Sequence, residues 1–362
     1  MSIKNKKRLE DIMRNIHSKL AAIVMACMVF AATLFMAKHL LAGPAAKTGY
    51  IGTALPSAFV PFSKKSPWNT PVPDKTPSDP NSALMVANLK NKAGVLKGNI
   101  VHWSVPLFVI DSGTSPKRDV RTTSERLNPL VDPSGRGTAQ NIPIPESVWP
   151  DPKEDGHMLL VDPVKMKSWD FSVARMKPDG SWTASRIDIW DLKGKGYREA
   201  FSGDYWWTFG ARGSGMPLIA GLIRPEEIEA GEIRHALVCS TPVNRKSSVP
   251  GGKPELCSPT ASRTDGAGSG NEFIPEGARL QLEPSLNIDS LPISPATKVI
   301  ARALQKYGMY VGDNASTFVI YFQNLGPDGG KWKKYDLFND LKNIPVEKFR
   351  VVKCSLKVQG QK

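Results

Sequence analysis

The stretches HMLLVD (157–162), WDFSVARM (169–176) and WTASRIDIWDL (182–192) decide the fold class of this 362-residue chain. Each is a short apolar run with β-branched or aromatic residues, a pattern typical of a strand. The sequence PDG (178–180) between the last two runs is typical of a tight turn and predicts a hairpin. Thirty glycines and thirty prolines also suit a loop-rich β-protein better than a helical one.

The rest of the chain extends this pattern. Further strands are predicted in GEIRHAL (231–237), in RLQLEPSLNID (279–289), in a hairpin formed by 307–314 and 316–324, and in FRVVKCSLKV (349–358). Short helices are predicted over 83–94, 224–232, 294–308 and 335–344, the third with Val299, Ile300, Ala303, Leu304 and Tyr307 on one face. The sequence therefore predicts one mainly β domain, a sandwich or jelly-roll-like barrel with a few short helices.

The N-terminus predicts export. An uncharged, mostly apolar run covers 20–37 and follows a basic flank. With Leu40, Leu41 and Ala42 it is long enough for a transmembrane helix. We expect a cytoplasmic flank (1–19), a transmembrane signal anchor (20–42), a Pro-rich tether (43–82) and an exported β-rich domain (83–362) in the periplasm or outside the cell. Cleavage near GPAAK (43–47) is the alternative.

The net charge indicates a class of partner. The chain carries +14, and residues 1–47 hold eight of its Lys and Arg residues and two of its Asp and Glu residues, which leaves +8 for the exported part. An exported domain does not meet nucleic acid. A polysaccharide partner is therefore expected, with acidic polysaccharides as one class, and anionic lipids or the cell wall as others. A basic surface without a specific partner is the simpler interpretation.

Three cysteines follow the predicted anchor: Cys239, Cys257 and Cys354. None belongs to a C-x-x-C pair, which argues against a zinc ribbon or a thioredoxin-type site. In an oxidising compartment Cys239 and Cys257 could form a disulfide, and Cys354 is either the odd thiol or a partner itself. The sequence leaves the pairing open.

No familiar catalytic motif is present. GARGSG (210–215) is not a nucleophile elbow, and DGAGSGN (265–271) lacks the context of a phosphate loop, so both are interpreted as turns. The exported part has three histidines, His102, His157 and His235, and each interrupts an apolar run. They could act as general acids or bases near neutral pH. No cofactor is predicted, but a zinc ion on these three histidines is the alternative.

Aromatic residues crowd the Gly-rich region after residue 181. Exposed aromatic rings stack on the faces of sugars, whereas buried ones build a core. The predicted substrate-binding residues are Trp190, Trp206, Trp207 and Tyr310. Arg212 and Arg279 could neutralise the carboxylate of a uronic acid.

Three blocks, DGHMLLVDP, GMPLIAGLIRPEEIEAGEIRHAL and GARLQLEPSLNID followed by IARALQKYGMYVGDN, resemble a broad group of secreted bacterial and fungal proteins. Members share a His-containing strand, Gly-x-Ile-x-His-Ala-Leu, and a helix that ends in Tyr-Gly before Asp-Asn. The resemblance covers roughly 64–345 and implies export and a shared fold, because the group has no established activity. Matching positions are His157, Asp191, His235, Arg279, Tyr307 and Asp313. Many members differ at the segment GARGSG, so the resemblance does not extend to Arg212.

The sequence thus predicts a membrane-anchored exported enzyme that cleaves a polysaccharide, a glycoside hydrolase or a polysaccharide lyase. In elimination, His157 or His235 would remove the proton beside a uronate, Tyr307 would protonate the leaving oxygen and Arg279 would neutralise the carboxylate.

In hydrolysis, Asp191 and Asp313 would instead act as the acid and its partner carboxylate, with the histidines positioning them. The alternative from a different class is a non-catalytic glycan-binding or cell-envelope structural protein, which needs the same aromatic residues and positive charge but no tuned imidazole.

Overall fold

β-Strands dominate residues 49–123, 137–198 and 210–359, the part of the chain that the computed structural model of the protein describes. The strands are β1 (Tyr50–Gly52), β2 (Leu96–Asn99), β3 (Val105–Ile110), β4 (Lys117–Thr122), β5 (Thr138–Pro143), β6 (Met158–Asp162), β7 (Lys167–Ser172), β8 (Arg175–Met176), β9 (Trp182–Ala184), β10 (Arg186–Asp191), β11 (Leu237–Thr241), β12 (Asn244–Ser247), β13 (Glu255–Ser258), β14 (Gly268–Ser269), β15 (Ile274–Pro275), β16 (Arg279–Leu282), β17 (Met309–Asn314), β18 (Phe318–Tyr321), β19 (Gln323–Asn324), β20 (Phe349–Val352) and β21 (Ser355–Val358). The prediction of a mainly β fold is confirmed.

Few helices accompany these strands in the described ranges. They are α1 (Ser82–Ala93), α2 (Pro225–Glu229), α3 (Pro295–Lys306) and α4 (Leu337–Asp340), with 3-10 turns at Ile288–Ser290, Gly330–Lys334, Leu341–Asn343 and Val346–Lys348. Helix α3 shows why the sequence forms a helix there. Ser294 caps its N-terminus by accepting a hydrogen bond from the Thr297 N–H, a proline occupies its first position, and Gly308 follows its end with a φ of 67°.

Two six-stranded sheets form the centre of the domain. The first has the order β1-β3-β6-β7-β10, with β19 added to β3, and the second has the order β2-β18-β11-β17-β16-β20. Both mix orientations, since β3 runs parallel to β6 and β11 runs parallel to β17. Smaller sheets are β5-β4-β9-β8, β14-β12-β15 and β13-β21.

The apolar strands are buried on both faces. Every residue of β3 and β6 is buried. Alternate residues serve different cores, because Leu159 and Val161 pack between the two large sheets while Met158 and Leu160 face the four-stranded sheet. Such double coverage explains the continuous apolar run in HMLLVD.

The elements stack in layers. Trp190 of the first sheet shares a core with Val238 and Tyr321 of the second, so the two large sheets pack face to face. The outer face of the second sheet carries α1 and α3, through residues such as Leu89 and Leu304. The four-stranded sheet covers the first sheet on its other side.

The predicted hairpin between 307–314 and 316–324 is wrong. Strand β11 lies between β17 and β18, parallel to the first and antiparallel to the second. The physical reason is that β11 is buried along its whole length and must pair on both edges to satisfy its backbone. The turn at PDG, by contrast, does join the antiparallel pair β8 and β9, as predicted, with Gly180 at a φ of 79°.

The C-terminal run 349–358 is two strands and not one. β20 pairs with β16 in the second sheet, whereas β21 pairs with β13 in a separate two-stranded sheet. Cys354 lies between them and forms a disulfide with Cys257. Cys239 is a buried free thiol, so the pairing that involves Cys354 is the one the protein adopts, and Cys239–Cys257 is not.

The segment 49–82 belongs to the folded domain, which differs from the tether predicted over 43–82. A compact unit begins at Gly49. β1 joins the first sheet, and the Trp68 side chain is 1% exposed, with its indole N–H donating to the Gly196 carbonyl at 2.7 Å. The prolines fix an extended course over the domain surface, and the aromatic side chain anchors it.

None of the helices in the described ranges has the length and apolar character needed to cross a membrane. The predicted anchor, 20–42, lies outside those ranges.

Candidate functional site

A cavity of about 550 Å³ opens at one end of the two large sheets. The wall is formed by the residues before β6, the start of β10, the end of β17 and the strand β18. Asp265 and the GARGSG turn complete it. The titratable residues on the wall are Asp155, His157, Arg186, Asp265, Asp313 and Tyr321. Two of the residues predicted as catalytic, His157 and Asp313, are therefore brought together here.

Asp313 is the best-held carboxylate of the cavity. One oxygen accepts a hydrogen bond from Arg212 Nη1 at 3.1 Å, and the other accepts from the Gly213 N–H. The side chain is 15% exposed, whereas that of Arg212 is 0% exposed. Burial raises the pKa of Asp313 to about 6, because the loss of water and the charge of Asp265 outweigh the attraction of Arg212.

Asp265 lies on the other side of Gly213. A Cβ atom added to Gly213 would collide with the Asp265 carboxylate, so both carboxylates contact this one residue. Asp265 accepts a hydrogen bond from the Asn314 N–H at 3.1 Å. Unlike Asp313, it belongs to an exposed residue. The two neighbouring carboxylates thus have different surroundings.

Behind Asp265 lies Glu276, which is completely buried. One of its oxygens accepts from Asn244 Nδ2 at 2.8 Å and the other from the Asp265 N–H at 3.3 Å. Burial raises the pKa of Glu276 well above its usual value, and the charge of Asp265 and a hydrogen bond to the Asp265 side chain raise it further. Burial therefore favours the protonated form of Glu276.

His157 directly precedes β6 and is 5% exposed. Its Nδ1 has no hydrogen-bond partner in the described part of the chain, while the ring hydrogen-bonds to the Ala211 backbone. Burial, followed by the positive charges of Arg212 and Arg186, lowers the pKa of His157 to about 3. The imidazole is neutral at physiological pH.

Asp155 is two residues upstream, half-buried on the cavity wall. Its backbone carbonyl accepts from the Val173 N–H at 2.7 Å. Burial raises the pKa of Asp155, and the charge of Asp151 raises it further. No ion pair of the Asp155 carboxylate is found with any residue that the structure describes.

Tyr321 forms the floor beside Arg212. The guanidinium carbon lies 4.2 Å from the Tyr321 ring centroid, and the tyrosine hydroxyl is 2.6 Å from Ser240 Oγ. Burial raises the pKa of Tyr321, so it keeps its proton. The ring and the Asp313 carboxylate together hold Arg212 in place.

Trp103 and Val173 lie at the cavity mouth. Trp103 is 40% exposed and Val173 is 38% exposed. Both have positive φ values, 56° and 52°, which are costly for residues with a Cβ and especially for a β-branched one. Backbone strain of this kind concentrates at functional sites, where surrounding structure enforces it.

His235 lies elsewhere. The strand predicted from GEIRHAL begins only at Leu237, because Gly231, at a φ of 75°, ends the turn after α2 and the chain then runs irregularly to Ala236. His235 is 4% exposed; its Nε2 lies 3.0 Å from Glu227 Oε1 and its Nδ1 lies 2.9 Å from the Ala236 carbonyl oxygen. Both ring nitrogens of His235 therefore have hydrogen-bond partners within the protein.

Glu227 is the centre of this buried cluster. It also accepts a 2.7 Å hydrogen bond from Arg224 Nη2. Although burial opposes ionisation, His235 and Arg224 lower the pKa of Glu227 to about 2. The cluster stabilises the entry to β11 and does not contribute to the cavity wall.

Arg279, Tyr307 and Tyr310 form a second structural group. Arg279 donates to the carbonyls of Tyr307 at 2.6 Å and Thr70 at 2.7 Å, and its guanidinium lies over the Tyr310 ring. Both tyrosines are 6% exposed and belong to the core between the sheets. These residues hold the segment around Trp68 on the domain and do not meet His157 or Asp313.

The remaining predicted residues are also separate from the cavity. Asp191 is exposed at the end of β10 and accepts from the Lys193 N–H in a turn. Trp190 is 4% exposed in the core between the sheets, under the Arg198 guanidinium. Trp206 and Trp207 lie outside the described residues.

The three histidines of the zinc alternative do not converge. His102 is exposed, whereas His157 and His235 are buried, and His235 already has two partners. In the described ranges, no group of three or more His, Cys, Asp or Glu side chains is placed to hold a metal ion.

Sequence reasoning overlooked Asp155, Arg186, Asp265, Glu276 and Tyr321. Asp155 and Asp265 lie in sequences, DGH and DGAGSGN, that resemble ordinary turns. Only the non-local arrangement of the two sheets places them beside Asp313.

A comparison with known protein families, with curated proteins and with solved structures found no match for this chain.

Proposed function

We propose that the protein is a membrane-anchored, exported glycoside hydrolase with Asp313 as general acid and Asp265 as the second carboxylate. The observation that carries this proposal is the pair itself. Two carboxylates contact Gly213 from different sides, one held in the wall and one exposed. Glycoside hydrolysis uses two carboxyl groups whose surroundings give them different roles.

Asp313 suits the acid role. Its pKa of about 6 lies near neutral pH, so a useful fraction is protonated, and its side chain still reaches the cavity. Asp313 would transfer its proton to the glycosidic oxygen as the bond from that oxygen to the anomeric carbon breaks. Asp265 would attack the anomeric carbon or remove a proton from the attacking water, after which water supplies the hydroxyl of the new reducing end.

Elimination receives less support from the same residues. Its base must take a weakly acidic proton from carbon, and an imidazole whose pKa is about 3, as for His157, is a weak base. Both ring nitrogens of the other predicted base, His235, already have hydrogen-bond partners in Glu227 and Ala236. Arg279, predicted to neutralise the uronate, is engaged with Tyr307 and Thr70. Hydrolysis is therefore the better proposal.

A sugar-binding surface is available at the cavity mouth. The exposed indole of Trp103 offers an apolar face of the kind that stacks on a pyranose ring. It takes the role that the sequence assigned to Trp190 and Tyr310, which are buried. For Trp206 and Trp207 the predicted role stays a prediction.

The disulfide supports export. Cys257 and Cys354 are bonded, and structural disulfides persist mainly in oxidising compartments. This agrees with a location outside the cytosol for the domain, and we retain the proposal that 20–42 anchors it as a single-pass membrane protein. For the fold, we propose a β-sandwich of the two large sheets. Their parallel strand pairs favour a sandwich over an antiparallel jelly-roll.

The test is to incubate the full-length protein with a panel of neutral, acidic and amino polysaccharides. New reducing ends without unsaturated-uronate absorbance are expected. Both signals together would overturn hydrolysis in favour of elimination. Neither signal, with retention on an immobilised glycan, would instead identify a glycan-binding protein, the alternative from another class. The D313N variant serves as the inactive control.

A further inference from the structure

Two carboxylates of the cavity, Asp155 and Asp265, form no ion pair with any residue that the structure describes. Asp313 is paired with Arg212. Asp265 accepts a hydrogen bond from the Asn314 N–H and lies in front of Glu276, and Asp155 is affected by the charge of Arg212 without forming an ion pair with it. Asp155 is half-buried, and burial disfavours its ionised form, so a positively charged ligand would stabilise it.

An independent feature of the same wall also requires a hydrogen-bond donor. His157 is 5% exposed and lines the cavity, and its Nδ1 has no partner in the part of the chain that the structure describes. The pKa of His157, lowered to about 3, keeps the imidazole neutral, and a neutral imidazole has one nitrogen that accepts a hydrogen bond. A buried acceptor left unpaired costs free energy that a ligand N–H or O–H would recover.

Both arginines of the site are held by the protein. Arg212 is 0% exposed and lies between Asp313 and the Tyr321 ring, so its guanidinium is not accessible from the cavity. Arg186 is on the wall but donates to the Gly210 carbonyl at 3.1 Å. Among the charged groups on the wall, three aspartates, Asp155, Asp265 and Asp313, outnumber the one arginine, Arg186.

We propose that Asp155 and Asp265, with the imidazole of His157, bind a primary ammonium group, which makes a polysaccharide with free amino groups the substrate class. This inference rests on the proposed glycoside hydrolysis. The indole of Trp103 at the mouth would add a favourable contact with the cation. The assignment runs opposite to the expectation from net charge, because the whole exported part is basic while this cavity wall is acidic.

The experiment compares three hexasaccharides of matched length: one of glucosamine, one of N-acetylglucosamine and one of galacturonic acid. Binding is measured by calorimetry on full-length D313N, which prevents cleavage during the titration. We expect the glucosamine hexamer to bind at least about tenfold more tightly than the acetylated one, the effect of one good charge pair. Equal affinity, or preference for the uronate, would overturn the inference.

A second substitution locates the ammonium site. D155N in the same D313N background should reduce the preference for glucosamine to less than about threefold, whereas D179N, in the exposed PDG turn, should leave it unchanged. An unchanged preference in the D155N variant would overturn the placement. The two proposals fail separately: cleavage without amino preference overturns only this inference, and amino preference without cleavage by the wild type overturns only the hydrolase.

Discussion

Arg212 and Asp313 form an ion pair of 3.1 Å in which the guanidinium is 0% exposed and the carboxylate side chain is 15% exposed. The arginine is therefore a fixed internal charge, and the carboxylate is the member that can meet a ligand. The Tyr321 ring lies against the Arg212 guanidinium, and the Gly213 N–H donates a hydrogen bond to Asp313. These two contacts hold the pair in position. Its protonation is tuned by burial, Arg212 and Asp265 together.

The first prediction concerns Asp313. D313N should lower kcat by about 10²- to 10⁴-fold, the usual contribution of a positioned acid, without unfolding the protein. In the wild type, kcat should fall as pH rises through about 6, because the protonated acid is lost. The measurement is release of reducing ends against pH on whichever polysaccharide the panel identifies. D191N, in an exposed turn, is the matched control and should remain fully active; loss of activity there, with D313N active, would reverse the assignment.

The second prediction concerns Glu276. Burial favours the protonated form of Glu276, and an amide has nearly the same shape, so E276Q should change the free energy of unfolding at pH 7 by less than about 1 kcal/mol. E276A should cost about 2–4 kcal/mol, because it leaves Asn244 and the Asp265 N–H without their buried acceptor. Urea denaturation of both variants decides the matter. Equal destabilisation would mean that Glu276 is ionised.

The third prediction concerns the buried cluster of Arg224, Glu227 and His235. E227Q should destabilise the fold by about 3–5 kcal/mol, because it leaves the buried Arg224 guanidinium without a carboxylate. Since the pKa of Glu227 is lowered to about 2, its stabilising effect is complete above its ordinary value near 4.5 and is lost as pH falls from there toward 2.

The control for this change lies on the same helix. E229Q removes a carboxylate that pairs at the surface with Lys334, and its melting temperature should stay close to that of the wild type. If E227Q melted as late as E229Q, the cluster would contribute nothing measurable.

The fourth prediction concerns His157. Its pKa is lowered to about 3 from 6.5, so between these values the unfolded chain binds a proton that the folded chain does not. The associated stability is fully present above pH 6.5 and decreases as pH falls, by about 3 kcal/mol at pH 4. H157Q should lose less stability over this range than the wild type, whereas H102Q, at an exposed position, should follow the wild type. Identical pH dependence of all three proteins would show that His157 is not kept neutral.

The fifth prediction concerns the disulfide. Cys257 and Cys354 are 97 residues apart in sequence, and closing a loop of that size stabilises a fold by about 4.7 kcal/mol in the chain-entropy model. C354S should lower the free energy of unfolding by several kcal/mol, and reductant should bring the wild type to the same level. C239S, at a buried free thiol, should respond to reductant as the wild type does. A reductant effect that persists in C354S would contradict the pairing.

Local elements could be predicted from the sequence, and their partners could not. The helix α3 and the turn at PDG follow from caps, glycines and apolar spacing, which act over a few residues. The hairpin over 307–324 failed because β11, from far upstream, pairs between its two strands. Pairing over such distances leaves no local signal.

The site shows the same division. His157 and Asp313 could be selected because a titratable group in an apolar run, or beside a strand end, is conspicuous. Asp265 and Glu276 could not, because their roles depend on contacts with Gly213, Asn244 and Asn314 across the fold. His235 was equally conspicuous in the sequence. In the structure its Nε2 is occupied by the carboxylate of Glu227, the third residue of α2.

The insertion of β11 between β17 and β18 also has a consequence for how the protein folds. The loop 314–317, part of the cavity wall, must cross the end of a strand that was synthesised much earlier. We expect the wall to form only when this distant strand is in place, which makes folding slow and dependent on a complete chain. A shortened or partly emerged chain would then carry all the residues before β17 but no closed site, so activity would switch on late in biogenesis, after the C-terminal strands have docked.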